Sequence, residues 1–124
     1  MTMTMKELVA EARERVDAVA PEDALGSGGV ILDVREASEL ADKGCVPDAL
    51  HIPRGLLEAS ADPQSPMANE HLTVARERGT VDVLCASGAR AALAAATLDR
   101  MGYRARVIDG GLEGWAKAGL PVER

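Results

Sequence analysis

The chain has 124 residues, of which 47% are hydrophobic and only 2% aromatic, with no phenylalanine. This length fits one domain and excludes a second of ordinary size, and the hydrophobic fraction excludes a wholly disordered chain. The net charge of −6 does not attract nucleic acid, so an anionic ligand would need a local positive site.

The first half of the chain alternates helix and strand signals. Thr4, with Glu7 three residues on, is the pattern of a capping box that begins a helix. A β-branched run after the Gly-rich turn 26–29 is typical of a strand buried on both faces, as in a parallel sheet. The elements predicted here are a helix from Thr4, an edge strand over 16–19, a brief helix over 21–25, a strand over 30–34, a helix over 36–43 and a strand over 49–52.

The second half has one irregular segment and then regular alternation. Pro63 and Pro66 interrupt 54–80, a segment that we expect to shape access to the site. Gly102 is placed to end a long alanine-rich helix. The elements predicted here are a helix over 69–78, a strand over 81–84, a helix over 89–101, a strand over 106–108 and a helix over 112–118. This alternation favours one α/β domain on a mainly parallel sheet.

The stretch VDVLCASGAR, 81–90, carries the strongest chemical signal. Cys85 follows a predicted strand, and only small residues separate it from the start of the next helix. Ligands of an open α/β sheet bind beyond the carboxyl ends of its strands. The N-terminal end of that helix and Arg90 favour a thiolate, and the loop N–H groups can hold an anion beside the sulfur. We therefore interpret Cys85 as a nucleophile rather than a small buried hydrophobe.

Several motifs, in order over residues 16–122, resemble those of the rhodanese family. Cys85, Gly88 and Arg90 match its Cys-x-x-Gly-x-Arg loop. ILDVRE at 31–36 resembles its Asp-x-Arg element, and its C-terminal signature is similar to Asp109-Gly110-Gly111, Trp115 and Gly119-Leu120-Pro121. The resemblance implies a rhodanese-like α/β fold, a five-stranded mainly parallel sheet with helices on both faces, over 16–124, preceded by an N-terminal extension over 1–15.

One turn departs from the family pattern. The family commonly has Gly-His-Ile-Pro-Gly-Ala after its early helix, whereas this chain has GCVPDA at 44–49. Cys45 takes the histidine place and Asp48 the second glycine place. Because this turn is largely structural in the family, we expect the fold to survive the change.

The resemblance also implies sulfur transfer with no metal or other cofactor. The Cys85 thiolate would attack the sulfane sulfur of a donor such as thiosulfate, release sulfite and carry a persulfide that cyanide or a thiol removes. The loop N–H groups would stabilise that persulfide; they belong to Ala86, Ser87, Gly88, Ala89 and Arg90. A protein could replace the small donor or acceptor, and neither nucleic acid nor a membrane is expected as a partner.

Four residues outside the loop are assigned secondary roles. Arg54 falls on the same side of the predicted sheet as Cys85, where it would help bind an anionic donor unless it is simply solvated. Asp33 and Arg35 are predicted to support the site, chiefly as an ion pair at a strand end. Cys45 is interpreted as a passive turn residue, since a resolving thiol would need the two Cα atoms within about 7 Å.

Two alternatives to a small-molecule sulfurtransferase remain. One is a sulfur-relay or regulatory module that acts on a protein partner. The other is phosphatase or arsenate reductase chemistry, which related domains perform with five residues between Cys and Arg. Here only four separate Cys85 from Arg90, a smaller loop that suits sulfur better than phosphate. The charges from Lys6 onward leave no apolar signal-peptide core, so we expect a cytoplasmic protein with reduced thiols.

Overall fold

Five short strands form one sheet in which all neighbours are parallel. The structure is a computed structural model that describes residues 2–124. The strands are β1 (Asp17–Val19), β2 (Val30–Asp33), β3 (Leu50–His51), β4 (Thr80–Leu84) and β5 (Arg104–Ile108), in the order β1-β5-β4-β2-β3. β4 is therefore central, which explains why three of its five residues, Val81, Val83 and Leu84, are fully buried apolar residues. The predicted five-stranded sheet is confirmed, and it is wholly rather than mainly parallel.

Helices cover both faces of this sheet, as the resemblance implied. The helices are α1 (Met5–Arg15), α2 (Pro21–Gly26), α3 (Ala37–Lys43), α4 (Leu57–Ala61), α5 (Glu70–Arg78), α6 (Ala89–Arg100) and α7 (Gly111–Lys117), with a 3-10 turn at Arg54–Leu56. Two separate apolar clusters result. One packs β4 residues Val81 and Val83 under α1, α4, α5 and α6, and the other packs Leu84 against α2 and α7.

The first cluster explains the unusual composition of the chain. Four alanines of α6 are fully buried against the sheet: Ala91, Ala92, Ala94 and Ala95. Methyl side chains let the helix axis approach the strands closely, so no phenylalanine is needed to fill the layer between them. On the other face, Trp115 is fully buried and its indole N–H donates to the Pro121 carbonyl at 2.9 Å. Trp115 therefore anchors the apolar cluster on this face of the sheet.

Local capping fixes most helix ends where the sequence predicts them. Thr4 and Glu7 make both hydrogen bonds of the capping box that begins α1. Gly44 ends α3 with a φ of 87°, and Gly102 follows α6 with a φ of 95°. Helix α4 was not predicted, because it has five residues, no side-chain cap and an irregular sequence context. Its Leu57 and Ala61 are nevertheless fully buried.

The turn that departs from the rhodanese pattern contains a left-handed residue and is anchored by main-chain hydrogen bonds. Asp48, in the second glycine place, has a φ of 65° and is the one non-glycine residue with a positive φ among residues 2–124. Aspartate tolerates this left-handed conformation better than most residues. Cys45 pairs with Glu123 through two main-chain hydrogen bonds of 2.8 and 2.7 Å, so the turn stays anchored without histidine.

The predicted N-terminal extension, 1–15, consists largely of α1, and its Met1 lies outside the described residues. Ala12 is buried in the cluster under α6, and the Arg15 guanidinium bonds to Asp99 at 2.8 Å. The extension therefore packs across α6, the helix that begins at the candidate site. Its separation from a domain over 16–124 stays a prediction.

Candidate functional site

Cys85 lies at the carboxyl end of the central strand, and its residue is 1% exposed. Its sulfur accepts hydrogen bonds from two backbone N–H groups, that of Gly88 at 3.0 Å and that of Ala91 at 3.3 Å. Both N–H groups belong to the beginning of α6. The structure therefore places Cys85 at the N-terminus of α6, and its role as the nucleophile stays a prediction.

One of these two donors, the Ala91 N–H, was not predicted from the sequence. Ala91 is the third residue of α6, and the first N–H groups of a helix have no partner within it. Counting three residues from the predicted helix start would have identified it. Among the predicted loop residues, Gly88 donates to the sulfur; Ala86, Ser87, Ala89 and Arg90 form the rest of the turn, and their contribution stays a prediction.

The first turn of α7 holds the loop from outside. The Leu112 N–H donates to the Cys85 carbonyl at 2.8 Å, and the Glu113 N–H donates to the Ala86 carbonyl at 3.3 Å. A Cβ atom on Gly111 would lie 2.5 Å from the first of these oxygens and 2.6 Å from the second. Glycine at 111 is therefore required for α7 to approach the Cys85 loop.

Gly111→Ala should destabilise the protein more than Gly119→Ala. Both glycines have a positive φ, 59° and 77°, but a Cβ at Gly119 would meet nothing within 4 Å. Both variants strain the left-handed backbone, and only the first adds a clash, so its free energy of unfolding should fall by about 1–3 kcal/mol more. Urea unfolding measures both, and equal losses would contradict the close contact.

Arg90 is engaged by a carboxylate that was not predicted. Its two Nη atoms lie 2.6 and 2.8 Å from the two oxygens of Glu39 on α3, an ion pair that ties α3 to α6. Hydrogen bonding from Arg90 lowers the pKa of Glu39 to about 2, so the carboxylate stays charged at neutral pH. The positive charge of Arg90 is thus largely compensated by Glu39.

The predicted ion pair of Asp33 and Arg35 is present and buried. Arg35 Nη2 lies 2.8 Å from Asp33 Oδ2 and 2.8 Å from the Gly44 carbonyl oxygen, and both residues are 1% exposed. A ring nitrogen of His51 lies 2.7 Å from the Arg35 carbonyl oxygen. These contacts connect the end of β2 with the turn after α3 and with β3. Their supporting role at Cys85 stays a prediction.

A cleft of about 500 Å³ opens beside Ala86, the residue after Cys85. Arg35, Glu39, Leu112 and Glu113 line other parts of its wall. The Cys85 residue is almost inaccessible, so a substrate must reach its sulfur through a neighbouring opening. The cleft beside Ala86 is therefore the candidate entrance.

Arg54 is not part of that cleft. Its guanidinium bonds to Glu58 at 2.9 Å and approaches the Thr97 hydroxyl at 3.4 Å, in a separate groove of about 390 Å³ between α1 and α6. The main chain does follow the sheet rule, since the Arg54 N–H donates to the Val34 carbonyl at 3.1 Å. Its side chain, however, points to a different groove from the one beside Ala86.

Both cysteines of the chain, Cys45 and Cys85, are free thiols. Among residues 2–124, no three His, Cys, Asp or Glu side chains come together in a way that could hold a metal ion. None of the helices in this part of the chain is long and apolar enough to cross a membrane.

One solved structure is similar to almost the whole chain. It is a protein of unknown function from Rhodopseudomonas palustris that is described as a possible tyrosine phosphatase. It shares 34% identity and superposes with a TM-score of 0.90, over 99% of this chain and 96% of that one.

Two similar structures are named sulfurtransferases. The polysulfide-sulfur transferase homodimer from Wolinella succinogenes is 31% identical with a TM-score of 0.67, covering 94% of this chain and 85% of that one. The thiosulfate sulfurtransferase from Pseudomonas aeruginosa is 30% identical with a TM-score of 0.64 over 88% of this chain, which spans only 19% of that longer protein. Among curated proteins, none matches this chain.

The family match covers most of the sequence, including the Cys85 loop and the elements around it. Residues 12–118 match the family model of the rhodanese-like domain. Together with the parallel five-stranded sheet, this match shows that the chain belongs to the rhodanese-like domain family, a sulfurtransferase-type family.

Proposed function

We propose that this protein transfers sulfane sulfur from thiosulfate or a related donor to a thiophilic acceptor through a persulfide on Cys85. The observation that carries the proposal is the pair of N–H groups on the sulfur, 3.0 and 3.3 Å away. These donors stabilise negative charge on Cys85 Sγ, which is the attacking atom of the first step and the leaving group of the second.

The reaction consists of two displacements at sulfur. The Cys85 thiolate attacks the outer sulfur of thiosulfate, an S–S bond forms to Cys85, and the bond to the SO₃ group breaks so that its electron pair leaves with sulfite. Cyanide then attacks the outer sulfur of the persulfide, forms thiocyanate and returns the electron pair to Cys85. No net oxidation occurs, and a thiol can replace cyanide as the acceptor.

The composition of the loop and its contacts with α7 also support the proposal. Ala86, Ser87 and Gly88 are small residues, and the α7 contacts hold the carbonyls of Cys85 and Ala86 toward α7. The named sulfurtransferases of W. succinogenes and P. aeruginosa are similar to this chain over the region that includes the loop. The proposal is therefore supported by both the geometry and the comparisons.

Phosphate-ester hydrolysis is the second candidate, because the similar R. palustris protein is described as a possible tyrosine phosphatase. A phosphatase of this type needs a guanidinium that faces the bound phosphoryl group. Here both Nη atoms of Arg90 are bonded to Glu39. This ion pair favours sulfur transfer over phosphatase chemistry.

Steady-state assays separate the two candidates. With thiosulfate and cyanide, we expect thiocyanate formation with parallel double-reciprocal lines, the pattern of a covalent intermediate. With p-nitrophenyl phosphate, we expect no hydrolysis above that of a Cys85→Ser variant. Hydrolysis without thiocyanate formation would replace the proposal with a phosphatase. Failure of both reactions, together with sulfur loading from a protein persulfide, would replace it with a sulfur relay.

A further inference from the structure

Arg13 of α1 reaches the loop that surrounds the Cys85 sulfur. Its Nη2 atom lies 3.2 Å from the position that a Cβ atom on Gly88 would occupy. The Gly88 N–H donates to Cys85 Sγ at 3.0 Å, so these contacts place Nη2 within about 9 Å of the sulfur. Arg15, two residues later, instead bonds to Asp99 near the other end of α6. Helix α1 thus sends one guanidinium to each end of α6.

The charge of Arg13 is not compensated by any carboxylate among residues 2–124. The other arginines considered for the site all have such a partner: Asp33 for Arg35, Glu58 for Arg54 and Glu39 for Arg90. The cleft beside Ala86 offers no net attraction for an anion, since its lining holds three carboxylates and only two cations. The uncompensated positive charge near the Cys85 loop is therefore that of Arg13, which lies beside Gly88.

We infer that Arg13 attracts the anionic sulfur donor toward the Cys85 loop and makes Cys85 prefer anionic reagents over neutral ones. The inference rests on the proposed function, and it identifies a residue that attracts the anionic donor of that reaction. Glycine at 88 lets the guanidinium lie this close to the Cys85 loop. A side chain there would reach within 3.2 Å of Arg13 Nη2.

The expected size of the effect follows from Coulomb's law. A unit charge about 7 Å from an anion in a water-like dielectric changes its local concentration about threefold, and a dianion about tenfold. The Arg13 side chain is exposed, so the attraction is screened by salt and should almost vanish at about 1 M ionic strength, where the Debye length is about 3 Å.

Alkylation of Cys85 measures this preference without requiring sulfur transfer. In a Cys45→Ser background, Cys85 is the one remaining thiol, and its reaction rates with anionic iodoacetate and neutral iodoacetamide are compared. Both reagents react with the same thiolate, so the ratio of the two rates does not depend on how much of Cys85 is ionised. Arg13→Gln should lower the ratio about threefold at low salt, and Arg13→Lys should restore most of it.

Lys6→Gln is the matched control, because it removes the same charge from the same helix about 10 Å away along the axis. An unchanged ratio in Arg13→Gln, or an equal fall in Lys6→Gln, would overturn the inference. For thiosulfate, KM should rise up to about tenfold in Arg13→Gln alone. If thiosulfate never loads sulfur but the alkylation ratio still falls, the proposed function fails and the role of Arg13 stands. If sulfur loads but the ratio is unchanged, only the role of Arg13 fails.

Discussion

Cys85→Ser should form thiocyanate from thiosulfate and cyanide at least about 10³-fold more slowly than the wild-type protein. A serine hydroxyl is not ionised at neutral pH without a strong base and cannot form a persulfide, so the covalent step is lost. The Cys85→Ser variant should still fold, because an oxygen can accept the N–H groups of Gly88 and Ala91 that the sulfur accepts now. Thiocyanate formation and urea unfolding together separate lost chemistry from lost structure.

Cys45→Ser is the control for this result. Cys45 holds its turn through main-chain hydrogen bonds to Glu123, which do not depend on the side chain. We therefore expect wild-type rates from this variant. Substantial transfer by the Cys85→Ser protein would show that Cys85 does not carry the sulfur, and a comparable loss in Cys45→Ser would give Cys45 a direct part in the reaction.

Asp33→Asn should lower the free energy of unfolding by about 3–5 kcal/mol. The substitution keeps the shape of the side chain but leaves Arg35 buried without a negative partner. An uncompensated charge in a low-dielectric interior is costly, and the bond from Arg35 to the Gly44 carbonyl cannot neutralise it. The loss should be visible as an earlier transition in urea.

Asp99→Asn is the matched comparison for burial. Asp99 bonds to Arg15 at 2.8 Å, the same distance as Asp33 to Arg35. The side chains of Asp99 and Arg15, however, are 41% and 51% exposed. Solvent screens that pair, so the variant should lose no more than about 1 kcal/mol. Similar losses in the two variants would mean that burial of the Asp33–Arg35 pair does not determine its contribution.

The strands and the position of Cys85 at a strand end could be predicted because their signals are local. The apolar run of β4, the cysteine at its end and the small residues before α6 are contiguous in sequence, so the N–H groups around Cys85 follow from helix geometry. Even Asp48 could be placed in a turn, because it follows a proline between the glycine that ends α3 and the short strand β3.

The contacts that the sequence did not reveal depend on packing between distant elements. Glu39 and Arg90 are 51 residues apart, and their pairing depends on where α3 lies beside α6. Arg13 reaches Gly88 only because α1 crosses α6. The Arg54–Glu58 pair, in contrast, could have been predicted, since a spacing of four residues is a local signal for an ion pair on a helical turn.

Intact-mass spectrometry of the wild-type protein after incubation with thiosulfate tests the persulfide most directly. We expect a gain of one sulfur atom, about 32 Da, on the wild-type and Cys45→Ser proteins, and its removal by cyanide. The Cys85→Ser protein should show no gain. An unchanged wild-type mass, or a gain that persists without Cys85, would contradict sulfur transfer from thiosulfate through a Cys85 persulfide.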